Sequence, residues 1–77
     1  MRYLCEHTDT LAGEANYSWV IREEISLPDQ ASDLSIVRAA KAALGLSGVR
    51  CRRSELGELL ELRPCGSCSV VFISPVY

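Results

Sequence analysis

The segment Ser69-Val-Val-Phe-Ile-Ser74 most constrains the fold, because Val70, Val71, Phe72 and Ile73 leave no polar side for water. In a strand, alternate residues point to opposite faces, so this stretch is apolar on both. It reads as a central strand, or as one covered by a second subunit. The chain offers one clear cover. From about Asp33 to Leu44, Ile36, Val37, Ala40, Ala43 and Leu44 recur at helical spacing, while Ser35, Arg38 and Lys41 face water. Ser32 is a natural N-cap and Asp33 sets a negative charge in the first turn. Gly45 suits a left-handed C-terminal cap, with Leu46 folding back over the last turn.

Around these two segments the remaining apolar pattern alternates. Arg2–His7 reads as a first strand and Tyr17–Leu27 as a second, bent or bulged near Glu23-Glu24 and stopped by Pro28–Asp33. Tyr17, Trp19 and Ile21 fall on one side of the second strand, and the Ala-rich helix leaves room for Trp19 beneath it. Val49–Ser54 is a third strand. Glu58–Arg63 is a fourth, although Leu56, Leu59 and Leu60 also fit a helical stripe over Ser54–Leu62. Gly57 within and Pro64 after that stretch weigh against the helix. Pro64–Cys68 is a turn, and Pro75 ends the fifth strand. The order ββαβββ implies an α+β domain over residues 1–77: one mostly antiparallel sheet with a single helix on one face.

A core this small is thin, since a chain near this length buries only about 60% of its unfolded surface. A partly bare second face makes a homodimer a reasonable expectation. No run approaches the ~20 apolar residues of a membrane span. The N-terminus, Met-Arg-Tyr-Leu-Cys-Glu-His, is too polar for a signal peptide, which points to the cytoplasm. There the four cysteines are expected as thiols or metal ligands rather than disulfides.

Three constellations bear on function. The first is the nine-residue connection Thr8–Asn16, long for a hairpin and therefore a place for binding contacts. Asp9, Glu14, Asn16 and Tyr17 are its candidate partner-binding residues, against the plainer reading that its polar groups satisfy the loop backbone. The second is basic. Arg38, Lys41, Arg50, Arg52 and Arg53 lie in a stretch with no acid between Asp33 and Glu55, and Arg63 can join them from a neighbouring strand. Arg50, Arg52, Arg53 and Arg63 are candidates for nucleic-acid contacts. A net charge of −2 and the run Glu55, Glu58, Glu61 favour solvated or mutually paired charges instead.

The third is Cys65-Gly-Ser-Cys68, half of a zinc knuckle, which Cys5 and His7 can complete. The turn precedes a strand rather than a helix, so thiol redox chemistry ranks below zinc. Ordinary thiols rank above both. A Cys5–His7–Asp9 catalytic grouping needs side chains along one strand to converge, and no phosphate-binding loop or paired-carboxylate motif is present. The expectation is a protein without catalytic residues and without a resident cofactor.

The block Asp9-Thr-Leu-Ala-Gly-Glu-Ala-Asn-Tyr-Ser-Trp-Val20, together with Glu61-Leu-Arg-Pro-x-Gly-x-Cys-Ser-Val-Val-Phe-Ile73, in which x is any residue, resembles small phage- and plasmid-borne bacterial proteins of unassigned function. That resemblance implies an accessory protein of a mobile element that acts by binding. Inhibitors of host restriction or CRISPR systems are among the proteins of that habitat. It offers no mechanism to carry over.

Overall fold

The computed structural model describes all residues, 1–77. Strands β1 (Arg2–Asp9), β2 (Val20–Ser26), β3 (Cys51–Leu56), β4 (Leu59–Pro64) and β5 (Ser69–Val76) form one sheet, with helix α1 (Asp33–Ala43) between β2 and β3. The strand order is β2-β1-β5-β4-β3 and every pairing is antiparallel. The α+β architecture and the ββαβββ order are as the sequence implies. The strand that is apolar on both faces is central, flanked by β1 and β4, and no second subunit is needed to explain it. The β2–α1–β3 connection carries the chain from one sheet edge to the other.

Register sorts the side chains. Cys5 lies opposite Ile73 and His7 opposite Val71, while Leu60 and Leu62 face the same two residues from β4. These side chains make the helix-covered face, where Ile36, Ala40 and Leu44 close the core over Cys5, Leu60, Leu62, Val71 and Ile73. The buried helical residues recur every fourth position, and Ala43 is exposed rather than part of the stripe. On the other face, Phe72 sits between Glu6 and Glu61 in one cross-strand row. Arg22 Nε donates to Glu6 at 2.8 Å and Arg63 Nη2 to Glu61 at 3.2 Å, so two ion pairs flank the half-buried Phe72 ring on a face that also carries Leu4, Leu59 and Val70.

The helix ends follow local chemistry. Ser32 Oγ accepts from Ser35 N–H at 3.2 Å, as an N-cap should. At the other end Leu46 N–H donates to Lys41 C=O at 2.7 Å and Gly45 N–H to Ala42 C=O at 3.3 Å. With Gly45 at φ +73° this is a Schellman motif.

Several boundaries move from the sequence reading. β1 continues through Thr8 and Asp9, which belong to the strand and not to the loop. β2 begins at Val20 because Tyr17 takes φ +56°, which breaks the extended chain ahead of it. No bulge interrupts β2, whose pairing runs unbroken from Val20 opposite Thr8 to Ser26 opposite Arg2. β3 is shifted to Cys51–Leu56, and Leu59–Pro64 is a strand, not a helix. Leu56 pairs with Leu59 across the two-residue turn Gly57-Glu58. Gly57 carries φ +65° at the first central position, the requirement of a type II′ hairpin. Pro75 does not end β5 but pairs with Tyr3 inside it. Beyond Ile73, β5 has no ladder with β4, so a residue without an N–H is tolerated there.

Candidate functional site

The distinctive surface is the loop 10–19 at the far end of the β1–β2 hairpin, and it is built on two buried side chains. Asp9 is only 2% exposed. Its carboxylate accepts from Ser18 N–H at 2.8 Å, Asn16 Nδ2 at 3.0 Å and Leu11 N–H at 3.5 Å, so one side chain holds the loop at its start and its end. Burial by itself raises the Asp9 carboxyl. The hydrogen bonds from Ser18, Asn16 and Leu11 outweigh it and hold the group well below the usual carboxylate range. Thr8, fully buried beside it, donates from Oγ1 to Trp19 C=O at 2.8 Å and accepts Tyr17 N–H at 3.1 Å. Backbone bonds from Asn16 N–H to Asp9 C=O and from Thr10 N–H to Cys68 C=O, both 2.9 Å, tie the loop to β1 and to the neighbouring β4–β5 turn.

This scaffold presents apolar side chains to solvent. Leu11 is 73% exposed, Tyr17 50%, Trp19 42% and Ile21 46%. Tyr17 is the sole non-glycine residue with positive φ, a conformation costing roughly 1–2 kcal/mol for an L-residue. Trp19 does not lie beneath the helix, as its pattern suggests. The small helix side chains are filled instead by Leu60, Leu62, Val71 and Ile73 from the central strands. Trp19 precedes β2 and stands edge-on to His7, with ring centroids 4.9 Å apart and planes at 87°.

His7 has both ring nitrogens enclosed without a hydrogen-bond partner. Burial lowers its pKa from the ordinary 6.5. In the window just below 6.5 the unfolded chain takes up a proton that the folded chain refuses, so stability falls as pH falls. A His7→Phe variant keeps an aromatic ring for Trp19 to pack against and removes both orphan nitrogens. Its melting temperature is expected to stay flat between about pH 7 and pH 5, where that of the parent declines. Parallel declines in the two proteins would refute the assignment.

The residues expected at the partner surface divide into two sets. Glu14 and Tyr17 are exposed, but Asp9 is turned inward and Asn16 spends its side-chain amide on Asp9. Asp9 therefore supports the loop from beneath rather than facing solvent. Leu11, Trp19 and Ile21 complete the exposed set. No local signal marked them out: alternation assigned Trp19 and Ile21 to a strand face covered by the helix, and Leu11 lay inside the polar loop.

The arginines do not form one patch. Arg52 and Arg63 are directly opposite one another on the uncovered face, Arg53 points to the helix-covered side opposite Leu62, and Arg50 precedes β3. Arg63 is occupied by Glu61, whereas Arg50, Arg52 and Arg53 make no ion pair, so the acidic run does not neutralise them.

The zinc set is likewise dispersed. Cys5 is sealed in the core while Cys65 and Cys68 are exposed in the β4–β5 turn, and no three His, Cys, Asp or Glu side chains converge on one point. Burial, with Glu23 nearby, pushes the Cys5 thiol up to about 11, the opposite of an activated nucleophile. His7 and Asp9 do not converge with it, since each is committed elsewhere.

A cleft of about 280 Å³ opens at the other end of the sheet, where Tyr3, Ile36 and Leu60 form part of a lining that includes Asp33, Glu55 and Glu58. Tyr77 O–H donates to Glu58 at 2.6 Å there, and this bond raises the phenol pKa. The lining holds no His or Cys. No helix is long and apolar enough to cross a membrane.

The fold and this loop together define a small α+β domain whose hairpin end is a stiffened apolar surface. In comparisons with known proteins, no family model, curated protein or solved structure matches the chain.

Proposed function

We propose that this chain is a non-enzymatic protein-binding module whose contact surface is the loop 10–19 with Ile21. The observation that carries the reading is the pairing of a buried, hydrogen-bonded support with an exposed apolar tip. Asp9 and Thr8 order the loop from below while Leu11, Tyr17, Trp19 and Ile21 remain in water. Ordering a loop before binding lowers the entropic cost of association, and Tyr and Trp are the side chains that most often anchor interfaces. The resemblance to mobile-element proteins directs the search for the partner to bacterial host proteins, defence systems of the restriction and CRISPR type among them. Nucleic-acid binding is the weaker reading because the four arginines are divided between two faces and a flanking segment.

Tyr17→Gly separates binding from folding. Glycine accepts the positive φ without the strain of about 1–2 kcal/mol, which offsets its own backbone entropy cost of ~0.5–1 kcal/mol. The variant is expected to melt at or above the parental temperature while the partner's affinity falls at least about tenfold, the loss typical of an aromatic anchor. The measurement is affinity capture from bacterial lysate, nuclease-treated and untreated, with the parent, Tyr17→Gly and Leu11→Glu, followed by titration of the captured protein. A partner that binds all three equally would place the contact elsewhere. Recovery of nucleic acid alone, lost on nuclease treatment, would overturn the reading in favour of the arginines.

A further inference from the structure

Both outer strands of the sheet leave a row of backbone N–H and C=O groups without a neighbour, and such edges template pairing with another chain. The two edges differ in what they would meet in a second copy. When an edge strand pairs antiparallel with itself about a twofold axis, one residue lies opposite its own copy and residues equally far on either side face one another. Each register is therefore defined by the residue on the axis, and its charges can be read directly.

For β2 the central choices are unfavourable. Axes at Arg22, Glu23 or Glu24 each set a charged residue against its own copy. Glu24 is in addition engaged by Arg2 at 3.3 Å. Like charges directly opposite are destabilising, so the central registers of this edge, which pair the most residues, are penalised.

β3 is different. Axes at Arg52, Arg53 or Glu55 again oppose like charges, but an axis at Ser54 does not. That register faces Ser54 with its own copy and sets Arg53 against Glu55 of the partner subunit, twice by symmetry. It also lays the aliphatic stem of Arg52 over Leu56 of the partner subunit, an exposed leucine on the same face. Arg53 and Glu55 have no ion-pair partner within the chain, and every residue of β3 after Cys51 is exposed. The strand contains no proline or glycine, and its six residues pair with β4 without interruption.

We propose that a second copy of this chain docks on the β3 edge in the Ser54-centred register, making one ten-stranded antiparallel sheet from two five-stranded ones. Backbone hydrogen bonds supply the attraction common to all registers. The two Arg53–Glu55 pairs select this one, because its neighbours on either side are penalised by like charges. The same pairing sets Arg53 of the partner subunit beside Glu55 at the rim of the cleft. It leaves loop 10–19 uninvolved, so it stands apart from the binding reading above.

The test is sedimentation equilibrium from about 10 μM to 1 mM, the range expected for a small edge-to-edge interface. The parent is expected to reach a dimer and go no further. Arg53→Glu and Glu55→Arg each convert two attractive pairs into repulsive ones, and each should weaken the dimer about tenfold or more. The double charge swap restores opposite signs and should restore dimerisation. Circular dichroism melts of all variants establish that the fold is retained. A parent that remains monomeric, or that assembles beyond the dimer, overturns the proposal. So do single variants that dimerise as the parent does, or a double swap that stays as weak as the singles.

Discussion

Replacing Asp9 by alanine is expected to lower the thermal transition by roughly 10–20 °C, although the residue belongs to no apolar core. The reason is the number of groups that depend on it. Removing the carboxylate orphans Ser18 N–H, Asn16 Nδ2 and Leu11 N–H around a buried site, and it frees both ends of the loop at once. Part-buried donors left without an acceptor cost more than the net worth of the bonds they made, and here three lose theirs together. Asp9→Asn isolates the charge. It keeps the shape but turns one accepting oxygen into a donating amide facing other donors. Because the native carboxyl is held below the ordinary 3.8, its contribution is fully present above that pH and is lost as pH falls through the lower folded value. Melting curves from pH 7 down to about pH 2 should show the parent losing stability below ~4 and Asp9→Asn losing much less there. An Asp9→Ala protein melting within a few degrees of the parent would mean that the loop is held by something else.

The second large effect lies at the centre of the sheet. Ile73 is fully buried, opposite Cys5 on one side and Leu60 on the other, with the helix above. Ile73→Ala deletes side-chain atoms from a site whose neighbours cannot all collapse inward, at a cost of about 3 kcal/mol. A domain of this length has a total stability on the order of 4–12 kcal/mol. The melting temperature should therefore drop by roughly 12–24 °C. Phe72→Ala, one residue away but half-buried on the uncovered face between Glu6 and Glu61, should cost clearly less despite removing a larger side chain. Urea unfolding of the two variants side by side makes the comparison. Equal losses would show that the uncovered face contributes as much as the covered one.

These two sites were not equally legible. Ile73 announces itself, since four successive apolar residues admit few positions other than the middle of a sheet. Asp9 looks like any loop aspartate. Its neighbours in the chain are polar, and nothing local reveals that its carboxylate will face Ser18, nine residues away. Its inclusion among the candidate surface residues, when its side chain is buried, follows from that. Trp19 was misplaced for a related reason. Alternation from Tyr17 assumes extended backbone, whereas Tyr17 takes a positive φ with its N–H donated to Thr8 Oγ1. The arginine cluster is close in sequence yet divided in space, because successive strand residues point to opposite faces and Arg52 and Arg53 are successive.

What the sequence by itself determined was local or periodic: the helix between Ser32 and Gly45, the existence and type of each strand, and the single-helix cover. Each rests on interactions among residues a few positions apart, or on a face that must be buried somewhere. Which strand neighbours which, that β3 is an edge, that Asp9 points inward and that Leu11, Tyr17, Trp19 and Ile21 point outward were decided by the tertiary structure. Those facts depend on pairing between residues distant in the chain. The same alternating pattern is compatible with several strand orders, and in the one adopted the helix closes the core over β1, β5 and β4.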